Sequence, residues 1–147
     1  MKNFITILLL LPLTAFSQIA SGSKDLAWCE GVYLYYAHYQ QMANNEGAAK
    51  NLLYRASRVT TANFFLNMEN GEVRGDKIRQ FKEVRKNQKS MFDSNPDKYI
   101  KGIFECDSIV AKYIAIERAK DQTFDGRSFD VTQQLFFEKM LSTMGIR

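Results

Sequence analysis

The chain contains very little proline, histidine and cysteine, and each shortage narrows what the protein can be. Of its 147 residues only two are proline, Pro12 and Pro96, and one is histidine, His38. Long stretches with neither proline nor glycine favour helices, because these two residues are the main helix breakers. No internal repeat or low-complexity linker divides the chain, so we predict one domain over residues 18–147.

The shortage of histidine and cysteine excludes most catalytic arrangements. Any imidazole general base or imidazole metal ligand must be His38. Cys29 lies nine residues before it, which is half a turn out of phase on a helix, so the two cannot pair within that helix. A phosphate-binding glycine loop, a Gly-x-Ser-x-Gly motif and a His-Glu-x-x-His motif are also missing. We therefore predict no enzyme activity, no metal and no cofactor.

The N-terminus has the three parts of a secretory signal peptide. Lys2 supplies the positive charge, residues 4–11 the apolar run, and Ala15-Phe16-Ser17 a cleavage site with small first and third residues. The apolar run is too short for a permanent membrane anchor. We predict a signal peptide over residues 1–17, cleavage after Ser17, and a periplasmic or secreted mature chain without a transmembrane anchor.

Two cysteines, Cys29 and Cys106, follow the predicted cleavage site. In an oxidising compartment, an even pair of cysteines is expected to form one disulfide. A bridge over so long a loop stabilises the fold by about 4 kcal/mol, mainly by restricting the unfolded chain. The alternative is a reactive thiol or a metal ligand, although a zinc site would need a carboxylate as well as unusual spacing.

Helical periodicity recurs along the mature chain and predicts an all-α fold. The predicted helices cover about 25–43, 47–70, 76–93 and 95–120, with a short helix from 130. We expect an antiparallel bundle of the four main helices plus the short C-terminal helix, with the disulfide joining the first helix to the fourth. The predicted core residues are Leu26, Cys29, Tyr36, Leu52, Val59, Phe64, Phe81, Ile103, Cys106, Val110, Leu135 and Leu141.

Local signals set the expected helix ends. Asn70-Gly71 is a stop signal for the second helix, because glycine readily adopts the left-handed conformation past a helix end. Asn95 can cap the fourth helix, with Pro96 at its first position. Residues 130–133 resemble the capping box of the last helix.

The connection before the last helix resembles a calcium-binding loop at four positions between Asp121 and Gly126. Its twelfth position, however, is Thr132, where such a loop needs a bidentate glutamate. We therefore interpret Asp125-Gly126 as a turn.

The first helix is rich in tyrosine and offers one candidate binding face. Tyr33 and Tyr36 lie toward its core side, whereas Tyr35 and Tyr39 are expected to point further outward. Exposed tyrosines are good contact residues, since they offer area and a hydroxyl at low entropy cost. The alternative is that the tyrosines line the core with their hydroxyls at its wet edge.

A second candidate face is basic. Residues 71–92 contain seven Lys or Arg and three Asp or Glu, in a chain of net charge +4. Such a face suits a protein partner or an anionic envelope surface, while a solvated helix face is the alternative. The candidate partner-binding residues on this segment are Lys82, Arg85, Lys86 and Lys89.

These features predict a small exported interaction protein that acts as a binder, inhibitor or regulator of another envelope macromolecule. The alternative is a small-ligand or haem carrier using the bundle interior, with His38 and Met42, Met140 or Met144 as imagined haem ligands. A third class is a hydrolase with paired carboxylates. No nucleic-acid-binding module is recognisable, so we expect no nucleic acid partner. The sequence leaves the oligomeric state open.

Overall fold

The computed structural model describes the backbone of residues 14–69, 72–73, 75–96 and 102–147, without the side chains of residues 14–24 and of several positions in the third helix. The prediction of a mostly helical chain is confirmed, while the antiparallel four-helix arrangement stays a prediction. Two short antiparallel strands also form, β1 (Met68–Glu69) and β2 (Glu72–Val73). The helices are α1 (Thr14–Met42), α2 (Glu46–Leu66), α3 (Gly75–Ser94), α4 (Gly102–Ala119) and α5 (Phe129–Thr143).

The predicted signal peptide lies mostly outside the described residues. α1 begins at Thr14 and runs through Ser17 as one helix, so the signal peptide and its cleavage stay predictions. In the parts of the chain that are described, no helix has the length and apolar character needed to span a bilayer.

α1 is the helix on which the fold is centred. It packs against α2, α3 and α4, while α5 packs against α2. Because three helices cover it, α1 has buried residues on several sides. Those in the main core are Leu26, Cys29, Val32, Tyr33 and Tyr36.

A disulfide joins α1 to α4, as predicted. Cys29 and Cys106 are bonded across a sequence separation of 77 residues, with their Cα atoms 5.3 Å apart. Both cysteines are buried in the main core. The bridge therefore fixes one side of α1 to the C-terminal half of the chain.

α2 ends earlier than the sequence predicts. Its last residue is Leu66, so the predicted end at Asn70-Gly71 is wrong. The side-chain Nδ2 of Asn67 donates to the backbone oxygen of Asn63 at 2.7 Å, a local hydrogen bond that competes with helix continuation. The pairing of β1 with β2 leaves two residues between the strands, and Asn-Gly is the sequence most typical of such hairpin connections.

The predicted helix starts in the C-terminal half need a similar revision. α5 begins at Phe129, and Ser128 caps it by accepting a hydrogen bond from the backbone N–H of Val131. The expected capping box is therefore wrong, because Asp130 forms an ion pair with Arg118 of α4 instead. The predicted start of the fourth helix borders residues 97–101, which lie outside the described residues.

The connection between α4 and α5 forms a tight turn. Phe124 and Arg127 exchange two backbone hydrogen bonds of 2.9 Å. Asp125 and Gly126 between them have φ angles of 50° and 71°, as a two-residue hairpin turn requires. The carboxylate of Asp125 pairs with Arg127. The interpretation as a turn is confirmed.

Most of the predicted core residues belong to the core. Leu26, Cys29, Tyr36, Val59, Cys106 and Val110 are buried, and Leu52, Phe64, Ile103 and Leu141 are half-buried against core clusters. The side chain of Phe81 lies outside the described residues. The prediction for Leu135 is wrong, because its side chain is 47% exposed.

Leu135 is exposed because α5 turns a different face toward α2. The buried residues of α5 are Phe129, Thr132 and Gln133, which share one side of the helix. Val131 and Leu135 lie on the other side and are both exposed. The polar residues Thr132 and Gln133 therefore occupy the buried side of α5, whereas the apolar pattern predicts Leu135 on that side.

Candidate functional site

A cleft between α1 and α3 contains residues from both predicted binding faces. Its volume is about 480 Å³, within the range of roughly 300–1,000 Å³ common among ligand sites. α1 contributes Gly31, Leu34, Tyr35 and His38, and α3 contributes Lys82, Lys86, Gln88 and Phe92.

The floor of the cleft is aromatic and firmly held. Phe92 is only 1% exposed, and its ring centroid lies 4.9 Å from that of Tyr35 and 5.7 Å from that of Trp28. The hydroxyl of Tyr35 donates to the backbone oxygen of Phe92 at 3.3 Å. Packing and this hydrogen bond together fix the Tyr35 ring as one wall, with the aliphatic Leu34 beside it.

Gly31 and Gln88 bring α1 and α3 into close contact at one end of the cleft. A Cβ on Gly31 would lie 2.0 Å from Oε1 of Gln88, so no larger residue fits here unless Gln88 moves. The side chain of Gln88 is buried, and its Nε2 donates to the backbone oxygen of Trp28 at 2.9 Å. Its Oε1 is buried and accepts no hydrogen bond within the described part of the chain. A buried acceptor in this state costs about 1–3 kcal/mol.

The mouth of the cleft is cationic. Lys82 and Lys86 are exposed and lie one helical turn apart on α3, so their side chains are neighbours. Neither forms an ion pair with any residue that the structure describes. His38 is exposed on the α1 side of the same mouth. Uncompensated lysines at a recess raise the local concentration of anionic groups.

The structure therefore brings together Tyr35, Lys82 and Lys86 from the predicted partner-binding residues. Tyr35 is half-buried in the wall, whereas Tyr39 is 53% exposed and lies one turn further along α1. Burial raises the pKa of Tyr35, and the charges of Asp93 and Tyr39 add to that effect. Tyr35 thus stays a neutral hydrogen-bond donor over the physiological range.

Two other predicted residues, Arg85 and Lys89, fall on the described backbone of α3, but their side chains lie outside the described residues. Sequence reasoning missed the contribution of Gly31 and Gln88. An isolated glycine inside a strongly helical pattern is a usable signal, since it often marks a close approach of another backbone or side chain.

The opposite side of α1 carries a polar cluster of a different kind. Tyr33 is buried and donates from its hydroxyl to Oδ1 of Asp107 on α4 at 2.6 Å. Nη1 of Arg55 on α2 donates to Oδ2 of the same carboxylate at 2.9 Å. Burial raises the pKa of Tyr33, reinforced by the hydrogen bond to Asp107 and by its charge, while Arg55 and Arg58 oppose the shift. Both carboxylate oxygens are engaged, so this cluster fastens α1, α2 and α4 together.

The buried carboxylates of the described residues make local contacts. Across the described residues, no group of three or more His, Cys, Asp or Glu side chains is placed to hold a metal. Buried Glu30 accepts a hydrogen bond from Thr60, and buried Glu117 pairs with Lys120 at 2.8 Å. These carboxylates make structural contacts rather than facing one another across a cleft.

Of the imagined haem ligands, Met42 is exposed one turn along α1 from His38, and the other two methionines pack elsewhere. His38 opens onto the α1–α3 cleft, which no described methionine lines. Met140 and Met144 pack instead against a second core cluster formed by Ala37, Ala49, Leu53 and Ile146.

No protein-family model, curated protein or solved structure matches this chain. Its function is therefore argued from the cleft itself.

Proposed function

We propose that this chain is a small exported interaction protein that binds another envelope macromolecule through the α1–α3 cleft and acts as its inhibitor or regulator. One observation carries the proposal. The tyrosine face of α1 and the basic face of α3, which the sequence presents as separate surfaces, line the same cleft through Tyr35, Lys82 and Lys86.

Binding surfaces commonly combine a well-packed aromatic side chain with exposed charged side chains at the rim. Aromatic side chains in well-packed pockets carry most of the energy at protein interfaces. Charges at the rim mainly steer the encounter and discriminate against partners of the wrong sign. Tyr35 and Phe92 supply the first feature, and the two lysines supply the second.

Export rests on independent support. A disulfide buried in the core is typical of proteins that fold in an oxidising compartment. The pattern of residues 1–17 is that of a signal peptide. In the proposal, an antiparallel bundle of four main helices plus α5 is the rigid frame that holds the cleft open.

A small-ligand carrier is the second candidate, because the cleft volume of about 480 Å³ suits a small molecule. In that case the occupant would sit in a surface cleft between two helices rather than in the bundle interior. Native mass spectrometry of the purified protein distinguishes the two candidates, since a carrier retains a ligand of defined mass.

The test is capture of partners from envelope extract with the disulfide-bonded protein as bait. We expect the Lys82→Glu/Lys86→Glu variant to recover about tenfold less of a specific partner than the parent, with the parental interaction weakened by salt. Tyr39→Ala tests whether the interface extends one turn along α1 without disturbing the buried wall.

Lys112→Glu is the matched control, because Lys112 is an exposed lysine on α4 outside the cleft. It should bind the partner like the parent. If the double reversal at Lys82 and Lys86 also binds like the parent, while circular dichroism shows that all variants are folded, the cleft is not the interface and the proposal is wrong.

A further inference from the structure

We infer that the occupant of the α1–α3 cleft is an acidic peptide segment of a protein partner, in which a large apolar side chain lies beside one or two carboxylates. This inference rests on the proposed function and specifies the chemistry of the partner. Two features of the cleft, each with a different chemical preference, lead to it.

The first feature is the accessible apolar surface of Leu34 and Tyr35. Both side chains are half-buried, whereas Phe92, which packs against Tyr35, is only 1% exposed and offers no surface of its own. An aromatic or large aliphatic side chain that enters here removes apolar surface from water on both partners, at about 25 cal/mol per Å². Aromatic rings also gain from edge or offset contacts with Tyr35.

The second feature is the pair of lysines at the mouth. Lys82 and Lys86 are one turn apart, with about 5–6 Å expected between their Cβ atoms. No described carboxylate side chain lines the cleft, so the charge of these lysines is not compensated there. A carboxylate next to the apolar side chain of the occupant would complement this charge in a partly desolvated setting.

Gln88 does not add to recognition. Its Oε1 is buried and accepts no hydrogen bond from the residues the structure describes, but it lies against α1, 2.0 Å from where a Cβ on Gly31 would stand. An occupant of the cleft cannot reach this atom unless Gln88 moves, so the cost of the unsatisfied acceptor stays in the folded protein.

The shape of the site favours a peptide over a membrane surface. Proteins that bind the bilayer interface project apolar side chains outward from a basic surface. Here the order is reversed, since the apolar residues Leu34 and Tyr35 are half-buried and Lys82 and Lys86 are exposed. A narrow segment can reach half-buried side chains, whereas a lipid headgroup layer would meet mainly the lysines.

The test uses four labelled peptides that differ only at three central residues within Gly-Ser flanks. The central residues are Asp-Phe-Glu, the neutral Asn-Phe-Gln, the truncated Asp-Ala-Glu and the basic Lys-Phe-Lys. Fluorescence anisotropy with the purified, disulfide-bonded protein measures each affinity. We expect Asp-Phe-Glu to bind at least about tenfold more tightly than each of the other three.

Charge reversal then tests the contact itself. In Lys82→Glu/Lys86→Glu, the preference should switch from Asp-Phe-Glu to Lys-Phe-Lys, while Lys112→Glu keeps the parental order. A switch of preference cannot arise from unfolding, because an unfolded variant would lose affinity for every peptide. Equal binding of all four peptides, or no binding of any, overturns the inference.

Two further probes cover other occupants. Vesicles containing phosphatidylglycerol that bind through Lys82 and Lys86, when the peptides do not, would assign the cleft to a membrane surface. Free 3-phenylpropionate that binds as tightly as Asp-Phe-Glu would assign it to a small carboxylate. Either result overturns the inference.

The outcome separates this inference from the proposed function. If a captured partner depends on Lys82 and Lys86 but the peptides show no preference, the acidic segment is wrong and the interaction protein stands. If Asp-Phe-Glu binds as expected but no partner depends on the cleft, the proposed function is wrong.

Discussion

α1 is attached to its neighbours in two different ways. On the α4 side, a disulfide and the Tyr33–Asp107–Arg55 cluster hold it. On the α3 side, Gly31 meets Gln88 closely and Tyr35 packs against Phe92, and these residues also line a cleft. α1 is thus joined to α4 by a covalent bond and a polar cluster, whereas its packing against α3 leaves a cleft at the surface.

The polar groups on the two sides of α1 also differ in how completely they are hydrogen-bonded. Both oxygens of Asp107 receive a hydrogen bond, whereas Oε1 of Gln88 accepts none from the described residues. A carboxylate whose two oxygens both accept hydrogen bonds stabilises the packing of α1 with α4, whereas a buried acceptor without a donor lowers stability. We therefore expect mutations on the α4 side to cost more stability than mutations on the α3 side.

The largest expected effect is loss of the disulfide. Replacing Cys29 and Cys106 together by serine should lower the free energy of unfolding by about 4 kcal/mol, because the bridge closes a loop across 77 residues. Urea denaturation with and without reductant measures this. The parent should lose stability on reduction and the double variant should not change. If reductant leaves the stability of the parent unchanged, the disulfide does not make the α4 side the more stabilising side of α1.

The next effect is at Tyr33. Tyr33→Phe removes the 2.6 Å hydrogen bond to a carboxylate and should cost about 2 kcal/mol of unfolding free energy at pH 7. Tyr113→Phe is the matched control, because Tyr113 is half-buried on α4 and its pKa is also raised by burial. It should change stability by less than about 0.5 kcal/mol. Equal losses in the two variants would show that the contact with Asp107 adds nothing.

The same tyrosine predicts a dependence on alkaline pH. Burial and Asp107 raise the pKa of Tyr33 above its ordinary value, so the unfolded chain releases this proton from about pH 10 upward while the folded protein retains it. The stabilisation is complete below pH 10, and the free energy of unfolding then falls by about 1.4 kcal/mol per pH unit. Urea titrations at pH 8 and pH 11 measure the slope. Tyr33→Phe should lack this part of it.

On the α3 side, Gly31→Ala should cost only about 1 kcal/mol. The new methyl group displaces Gln88, and the better helix propensity of alanine offsets part of that cost. The sign should reverse in a Gln88→Ala background, where Gly31→Ala should stabilise by about 0.5–1 kcal/mol. Thermal unfolding of the four proteins completes this double-mutant cycle. If Gly31→Ala lowers stability both in the parent and in the Gln88→Ala background, the steric clash does not involve Gln88.

The smallest effect should occur at an ion pair that belongs to neither side. Glu46 and Lys50 lie one turn apart on α2, with 3.0 Å between Oε1 and Nζ, and both are well exposed. Lys50→Gln keeps the helix propensity and should cost at most about 0.5 kcal/mol at low salt. The difference from the parent should vanish at high salt. A larger cost would mean that surface pairs, rather than the two sides of α1, dominate stability.

The disulfide on the α4 side of α1 could be predicted from sequence, whereas the Tyr33–Asp107–Arg55 cluster and the cleft on the α3 side could not. Cys29 and Cys106 each lie in the apolar stripe of a helix, and the expected oxidising compartment provides the bond between them. The meeting of Tyr35 with Lys82 depends on how α1 and α3 pack together. The periodicity of a single helix shows which face is apolar and not which neighbour lies across from it.

The errors have local physical causes. Apolar spacing predicts Leu135 in the core, but α5 has apolar residues on both sides and buries Thr132 and Gln133. The stop signal at Asn70-Gly71 predicts too long a second helix, because the helix ends at Leu66, where Asn67 hydrogen-bonds to Asn63. Short polar side chains that hydrogen-bond to the nearby backbone compete with helix formation, and apolar periodicity alone does not account for this effect.

The distance in sequence between the two cysteines also affects biosynthesis. Cys29 is synthesised 77 residues before Cys106, which at about 5–20 residues per second is a delay of roughly 4–15 s. During that interval the N-terminal thiol has no native partner within its own chain. If Cys29 forms a mixed disulfide with another thiol in that interval, the native bridge forms only when the Cys106 thiolate attacks the sulfur of Cys29 and displaces that thiol as the leaving thiolate.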